Sequence, residues 1–147
     1  DLQLFDQDEL KTYFYYKRIK DGETLEKEKE APIPFYVQDS FSALYFVRGL
    51  PLNVGDEYTF PIITRGKLHL IDLKVEKVEE VKVMDKWVDA IRINAITRYP
   101  GVLKKKGDII FWYSDDDRRR LLQFKAKVKI GAIKGELVDY KAGTKAQ

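Results

Sequence analysis

The chain has 147 residues, of which 44% are hydrophobic and 13% aromatic, enough to pack one domain and too apolar for a disordered segment. It has no cysteine, which excludes disulfides, zinc–cysteine sites, iron–sulfur clusters and thiol catalysis. The net charge is only +3 although 35% of residues are charged, a mixed surface unlike a nucleic-acid footprint, and no apolar run reaches the ~18 residues of a membrane-spanning helix.

No secretory leader is visible, and the abrupt start at Asp1-Leu2 fits a processed or trimmed chain. Residues 1–140 read as a single β-rich domain and 141–147 as a disordered tail. Asp1 to Leu10 is polar with scattered apolar residues and predicts an irregular lead-in. Lys11 to Arg18 is aromatic-rich, as suits a strand, and Asp21-Gly22 is a hairpin signal because a type I′ turn needs positive φ at both central residues. The partner strand, Thr24 to Ala31, is rich in Glu and Lys, so one face of this hairpin is wet. Pro32 and Pro34 end it.

Asp39 to Gly49 reads as the one helix, capped at its start by Asp39 or Ser40 and closed by a left-handed Gly49. Its apolar residues Phe41, Ala43, Leu44, Tyr45, Phe46 and Val47 surround it, and a helix apolar nearly all round is normally buried. It is therefore expected against the concave face of a curved sheet. After a turn-rich connection, Glu57 to Ile63 predicts a strand whose Pro61 marks an edge or bulge. Arg65-Gly66 turns the chain into a long strand, Lys67 to Val83, in which Ile71, Leu73 and Val75 alternate with Asp72, Lys74 and Glu76. Leu68-His69-Leu70-Ile71 breaks the period, as a β-bulge would.

Asp85-Lys86 predicts the next turn. Trp87 to Thr97 carries Trp87, Ile91, Ile93 and Ala95 on one parity, and Tyr99 to Gly107 reads as a loop. Asp108 to Ser114 is apolar on both parities and predicts a central strand. Leu121 to Ile130 alternates Phe124, Ala126, Val128 and Ile130 with lysines, and after Gly131 the segment Ala132 to Tyr140 pairs back. The expected fold is mainly β: a strongly curved antiparallel sheet or partly open β-barrel with one short buried helix.

Sets that could carry chemistry are sparse. His69 is the single histidine and lies on a strand, with no glycine-flanked serine elbow, so it reads as packed in or beside the sheet. One histidine and no cysteine predict no transition-metal site and no cofactor. Asp115-Asp116-Asp117 lacks the spacing of a calcium loop and reads as a turn whose carboxylates bond backbone amides and pair with Arg118-Arg119-Arg120. Lys104-Lys105-Lys106 likewise reads as a solvated turn. The aromatics are the stronger functional signal. Tyr13 and Tyr15 share one strand face, and Tyr45 and Trp112 are candidates to join them in a pocket for a lipid, glycan or peptide. Core filling is the bland reading of the same rings.

The chain resembles a known family, the bacterial domain of unknown function 3108. The resemblance rests on Asp39-Ser40-Phe41-Ser42-Ala43-Leu44-Tyr45-Phe46-Val47-Arg48, followed by Leu50-Pro51-Leu52 and Val54-Gly55. It resumes at Ile110-Phe111-Trp112-Tyr113-Ser114-Asp115-Asp116 with Arg118-Arg119, and again at Lys129-Ile130-Gly131 with Glu136-Leu137. The family's usual proline after the arginines is absent, with Leu121-Leu122 in its place. The resemblance implies an exported protein of the bacterial periplasm or cell envelope, with no established activity and no catalytic residues to carry over. Members tend to have further N-terminal strands, which would complete the sheet or barrel. A structural ion pair is expected between Arg48, at the helix end, and Asp115 or Asp116.

The first functional expectation is a non-catalytic envelope protein that binds a hydrophobic or amphipathic ligand, or an envelope protein partner, in the concavity of the sheet. An apolar cavity beside the helix would support it. The alternative is a hydrolase of an envelope polymer using carboxylates such as Asp39, Asp115 and Asp116. An intracellular nucleic-acid binder using Lys125, Lys127 and Lys129 is disfavoured by acidic neighbours and modest net charge, so no nucleic-acid partner is expected.

Overall fold

The computed structural model describes residues 2–98, 106–128 and 130–143. Its elements follow in the order β1 (Leu2–Asp6), β2 (Lys11–Lys20), β3 (Glu23–Pro32), α1 (Ser42–Arg48), β4 (Glu57–Thr64), β5 (Lys67–Val83), β6 (Lys86–Arg98), β7 (Lys106–Ser114), β8 (Leu121–Lys127) and β9 (Ala132–Glu136). All strand neighbours are sequential and antiparallel, in a three-stranded sheet β1-β2-β3 and a six-stranded sheet β4 to β9. The mainly β, hairpin-built fold is thus as expected, but it is divided between two sheets and neither closes into a barrel.

The Asp21-Gly22 turn has positive φ at both residues (52° and 82°), and Arg65-Gly66 does too (51° and 65°). The first is the type I′ hairpin that Asp21-Gly22 predicts, and the turn expected at Arg65-Gly66 has the same signs of φ. The β5–β6 turn lies one residue earlier than expected, at Met84-Asp85, both with positive φ. Residues 2–6, expected to be irregular, form a strand because Leu2, Leu4 and Phe5 pair with Tyr15, Tyr13 and Thr12. Most of the loop expected at 99–107 lies outside the described residues, while Lys106 and Gly107 begin β7. The β8 alternation stops at Lys127, and Ile130 is 94% exposed in the turn rather than inward-facing.

The two sheets are joined through the segment after β3. Gln38 donates to the Pro61 carbonyl and accepts from Ile63, which adds a parallel bridge to the outer edge of β4. Pro61 is tolerated there because β4 is an edge strand and a proline removes a ladder donor. Ile33, Val37 and Ile63 form a small core with Phe5 and Leu10. Lys29 Nζ of β3 donates to the Gly66 carbonyl at 2.7 Å, so the charged hairpin leans on the β4–β5 turn.

In the six-stranded sheet one face carries Ile71, Leu73, Val75, Ile91, Ile93, Ala95 and Tyr113, packed with Val47 of α1 and Leu52. The opposite face carries a second core of Val81, Val83, Ala90 and Leu122. In β5 the division comes from a bulge between Val75 and Lys77, not at Leu68–Ile71, where its pairing with β4 is unbroken, and a second irregularity in the β7–β8 pairing leaves Leu122 between the partners of Trp112 and Tyr113. One extra residue inverts the alternation, so Val81 and Val83 share a sequence parity with Ile71 but face the other way. The sheet curls toward that second face. Gln123 Nε2 of β8 donates to the Lys82 carbonyl of β5 at 2.9 Å, although a flat sheet would separate those strands by three spacings, ~14 Å.

α1 differs from expectation in burial. Only Val47 is buried, whereas Phe41 is 79% and Tyr45 70% exposed. A seven-residue helix on a single sheet can bury one stripe, and no described element covers its other side. Asp39 does fix the start, accepting from the Phe41 and Ser42 amides while the Ser42 hydroxyl accepts from the Asp39 amide. Gly49 is right-handed (φ −83°), not left-handed, and ends the helix by donating to the Phe46 carbonyl.

The turn glycines separate two costs. At Gly66 a Cβ would sit 3.1 Å from the Lys29 Cδ and 3.3 Å from the Phe14 Cβ, whereas at Gly22 it would meet nothing within 4 Å. Both have positive φ. Gly22→Ala is expected to cost ~1 kcal/mol from the backbone alone, and Gly66→Ala distinctly more because it also separates the sheets, as read by urea denaturation.

Candidate functional site

The inward stripe of α1 does not close on the sheet beneath it. Ala43, Leu44 and Val47 roof a pocket of about 250 Å³ whose floor includes Phe60, Ile62, Ile71, Leu73, Ala95 and Phe111. These floor residues come from β4 to β7, on the face that the cross-strand register aligns as Phe60–Ile71–Thr97 and Tyr58–Leu73–Ala95. The polar lining gathers toward the β4–β5 turn: Ser40, Thr64, His69 and Thr97. Ser40 Oγ and Thr64 Oγ1 lie 3.1 Å apart and tie the start of the helix to the end of β4. No carboxylate, lysine or arginine lines the pocket among the described residues.

His69 stands opposite Ile62 in the ladder and is half-buried. Burial pushes its imidazole below the ordinary 6.5 and the nearby Lys67 charge pushes it the same way. It is neutral at pH 7, so every polar group at this end is an uncharged donor or acceptor. The pocket can accept an apolar body with a neutral polar end. His69 is therefore beside the sheet, as expected, but on the wall of a cavity.

Tyr113, fully buried on β7, sets the far end. Its hydroxyl donates to the Leu44 carbonyl of α1 at 3.2 Å, and burial raises its pKa well above the usual value despite the opposing Arg48 charge. Arg48 does not form the expected ion pair. Its guanidinium donates to the Arg118 carbonyl at 2.7 Å, and no carboxylate among the described residues lies within ion-pairing range. Asp116 is already engaged. Its Oδ1 accepts from the Ser114 hydroxyl and the Arg118 and Arg119 amides, and its Oδ2 pairs with Arg120 at 2.7 Å. Partial burial would raise the Asp116 carboxyl, but the Ser114 and Arg120 bonds outweigh it and hold it below the ordinary 3.8. Asp115 is tied through its amide to the Asp89 carbonyl. The acidic run is thus the turn that its spacing predicts, and Arg48 ties the helix to that turn through a carbonyl.

The four candidate aromatics are not brought together. Tyr13 and Tyr15 lie beside Leu2 and Leu4 on the three-stranded sheet. Tyr45 points away from the pocket and edges a separate groove with Phe41, Arg48, Leu121, Leu137 and Tyr140. Trp112 faces the opposite side of the six-stranded sheet, donating to Glu79 at 2.9 Å with Arg92 stacked 5.6 Å from its ring. Asp39, Asp115 and Asp116 line none of the helix-side pocket. The floor of aliphatic residues with Phe60 and Phe111, and the Ser40–Thr64–Thr97 end, were not singled out from sequence. Thr64 and Thr97 on an otherwise apolar parity were the available signal.

The chain matches the family described as protein of unknown function (DUF3108) over residues 4–138, and it belongs to that family. No curated protein and no solved structure matches it. No helix is long and apolar enough to cross a membrane among the described residues.

Two substitutions test how α1 is held. Tyr113→Phe leaves the ring and removes one buried hydrogen bond, with an expected cost of ~1 kcal/mol and faster amide exchange in α1. Asp116→Ala removes the acceptor of the β7–β8 turn and is expected to cost ~1–2 kcal/mol at pH 7. The folded carboxyl titrates below its unfolded value, so its contribution is present above the ordinary range and lost as pH falls through the lower folded value. The difference between parent and Asp116→Ala in urea melts should therefore shrink below about pH 4.

Proposed function

We propose that this member of the DUF3108 family is a non-catalytic binding protein of the bacterial cell envelope that takes a hydrophobic or amphipathic ligand into the pocket beneath α1. The supporting observation is the cavity of about 250 Å³, aliphatic and aromatic along its length and polar only toward the β4–β5 turn. Its size is near the lower end for small-molecule sites, typically ~300 Å³ and up, so the fitting ligand is a single short chain or a fused-ring body. The neutral His69, Ser40, Thr64 and Thr97 favour an uncharged hydroxyl, ester or amide at that end over a carboxylate. The envelope location rests on the family resemblance of the Asp39–Arg48 and Ile110–Asp116 stretches.

A non-catalytic role is favoured because the ionisable groups of a hydrolase are engaged elsewhere. Asp39 accepts two amides at the helix start, and Asp116 is held ionised by Ser114 and Arg120. Neither is available as a general acid.

Fluorescence of N-phenylnaphthylamine, an uncharged apolar probe, tests the pocket. Saturable binding is expected, with displacement by decanol. Ala43→Phe places a ring in the cavity and should weaken binding by about tenfold or more, ~1.4 kcal/mol, while the urea midpoint stays near the parent's. Equal binding by parent and Ala43→Phe would sink the proposal.

A further inference from the structure

We propose that the outer face of α1 is a docking surface for an anionic lipid membrane. The helix places Phe41 and Tyr45 in solvent at 79% and 70% exposure, on the side opposite the pocket roof. A second groove, about 260 Å³, lies there between α1 and the end of the six-stranded sheet, with Leu121 and Leu137 at its base and Tyr140 on its far wall. Exposed aromatic rings around an apolar base carry a standing hydration cost that burial in an apolar phase would relieve.

Charge selects the occupant. Arg48 lies 5.7 Å from the Tyr45 ring, and Arg118 and Arg120 lie 5.9 Å and 5.3 Å from the Tyr140 ring. Three guanidiniums thus stand beside the two tyrosines that wall the groove. Asp116 is consumed by Arg120 and by the turn; Asp115, Asp117 and Asp139 are exposed nearby, but no carboxylate among the described residues lines the groove or pairs with Arg48 or Arg118. Arginine paired with tyrosine at an apolar surface is the composition of a membrane interface: rings sit at headgroup depth and guanidiniums bind lipid phosphate. A protein partner would need a matched acidic and apolar relief. A bilayer needs only apolar side chains rimmed by cations.

The proposal does not depend on the pocket being occupied. If both hold, α1 stands between a lipid phase and a cavity that accepts one chain, so ligand has a short route in.

Co-sedimentation with vesicles tests it, using phosphatidylcholine alone and phosphatidylcholine mixed with phosphatidylglycerol. Binding to the mixed vesicles is expected to be stronger by about tenfold or more and to fall with added salt. Phe41→Ser/Tyr45→Ser should abolish it with the circular dichroism spectrum unchanged. Arg118→Gln, whose parent side chain makes no hydrogen bond among the described residues, should weaken it by about five-fold, the effect of one basic residue near an anionic surface. Equal partition into both vesicle types, binding by neither, or retained binding by the double variant would overturn the proposal. So would a dimer that the double variant dissociates, because a second copy would then own the face. Probe binding in the pocket, measured without vesicles, is expected to survive the double variant, which keeps failure of one reading distinct from failure of the other.

Discussion

The hydroxyl of Tyr113 is the point on which the rest of the structure turns. A phenol buried in the centre of a sheet must find a hydrogen-bond partner, because leaving it unpaired costs on the order of 1–3 kcal/mol. Its partner is the Leu44 carbonyl, in the middle of α1. That bond draws the helix down onto β7. The Arg48–Arg118 bond ties its end to the β7–β8 turn, and the Ser40–Thr64 bond ties its start to β4. α1 is therefore a bridge held at both ends and once along its length by polar bonds. Between those tethers its inward side chains are of modest size, with only an alanine at position 43. A helix fixed by polar bonds in this way need not collapse onto the sheet, and the pocket is the space that remains.

The second constraint is the bulge at Glu76. Without it, Ile71, Leu73, Val75, Val81 and Val83 would form one stripe, and the far end of the sheet would have no core of its own. With it, the β5–β6 tip turns its valines toward Leu122 and Leu137. Curvature toward that side brings Trp112 within reach of Glu79 across an intervening strand. β7 is apolar on both parities because each face meets a different core, which is how the sequence marks it as central.

What was legible followed from local chemistry. The Asp21-Gly22 and Arg65-Gly66 turns, the edge position of Pro61 and the alternation of β5 and β6 each depend on residues near one another in sequence. So does Asp116, whose amide and arginine partners lie within a few positions. What was not legible depended on pairing at a distance. A bulge is defined by the opposite strand, so Glu76 carries no mark of its own. β1 reads as polar because it holds only five residues and takes its register from β2. The Arg48 expectation failed through competition: Asp116 had met its donors within the turn, so the arginine took a backbone carbonyl instead.

The candidate site was hidden for a related reason. An all-round apolar helix has two physical solutions, enclosure on every side or a different apolar environment on each. Sequence periodicity cannot separate them, because both need the same residues at the same positions. Burial separates them here. Val47 faces the sheet while Phe41 and Tyr45 face solvent, with an arginine beside Tyr45. Tyr13, Tyr15, Tyr45 and Trp112, which signalled a pocket in the sequence, are therefore outside it, and the cavity is floored by aliphatic residues and by Phe60 and Phe111, which looked like ordinary core. Ala43, Leu44 and Val47 roof one apolar space, and Phe41, Leu44 and Tyr45 rim another. Phe41, Ala43, Leu44, Tyr45 and Val47 are apolar because both faces of the helix meet an apolar groove, and Ser42, the one polar residue in the run, is engaged by the Asp39 amide at the helix start.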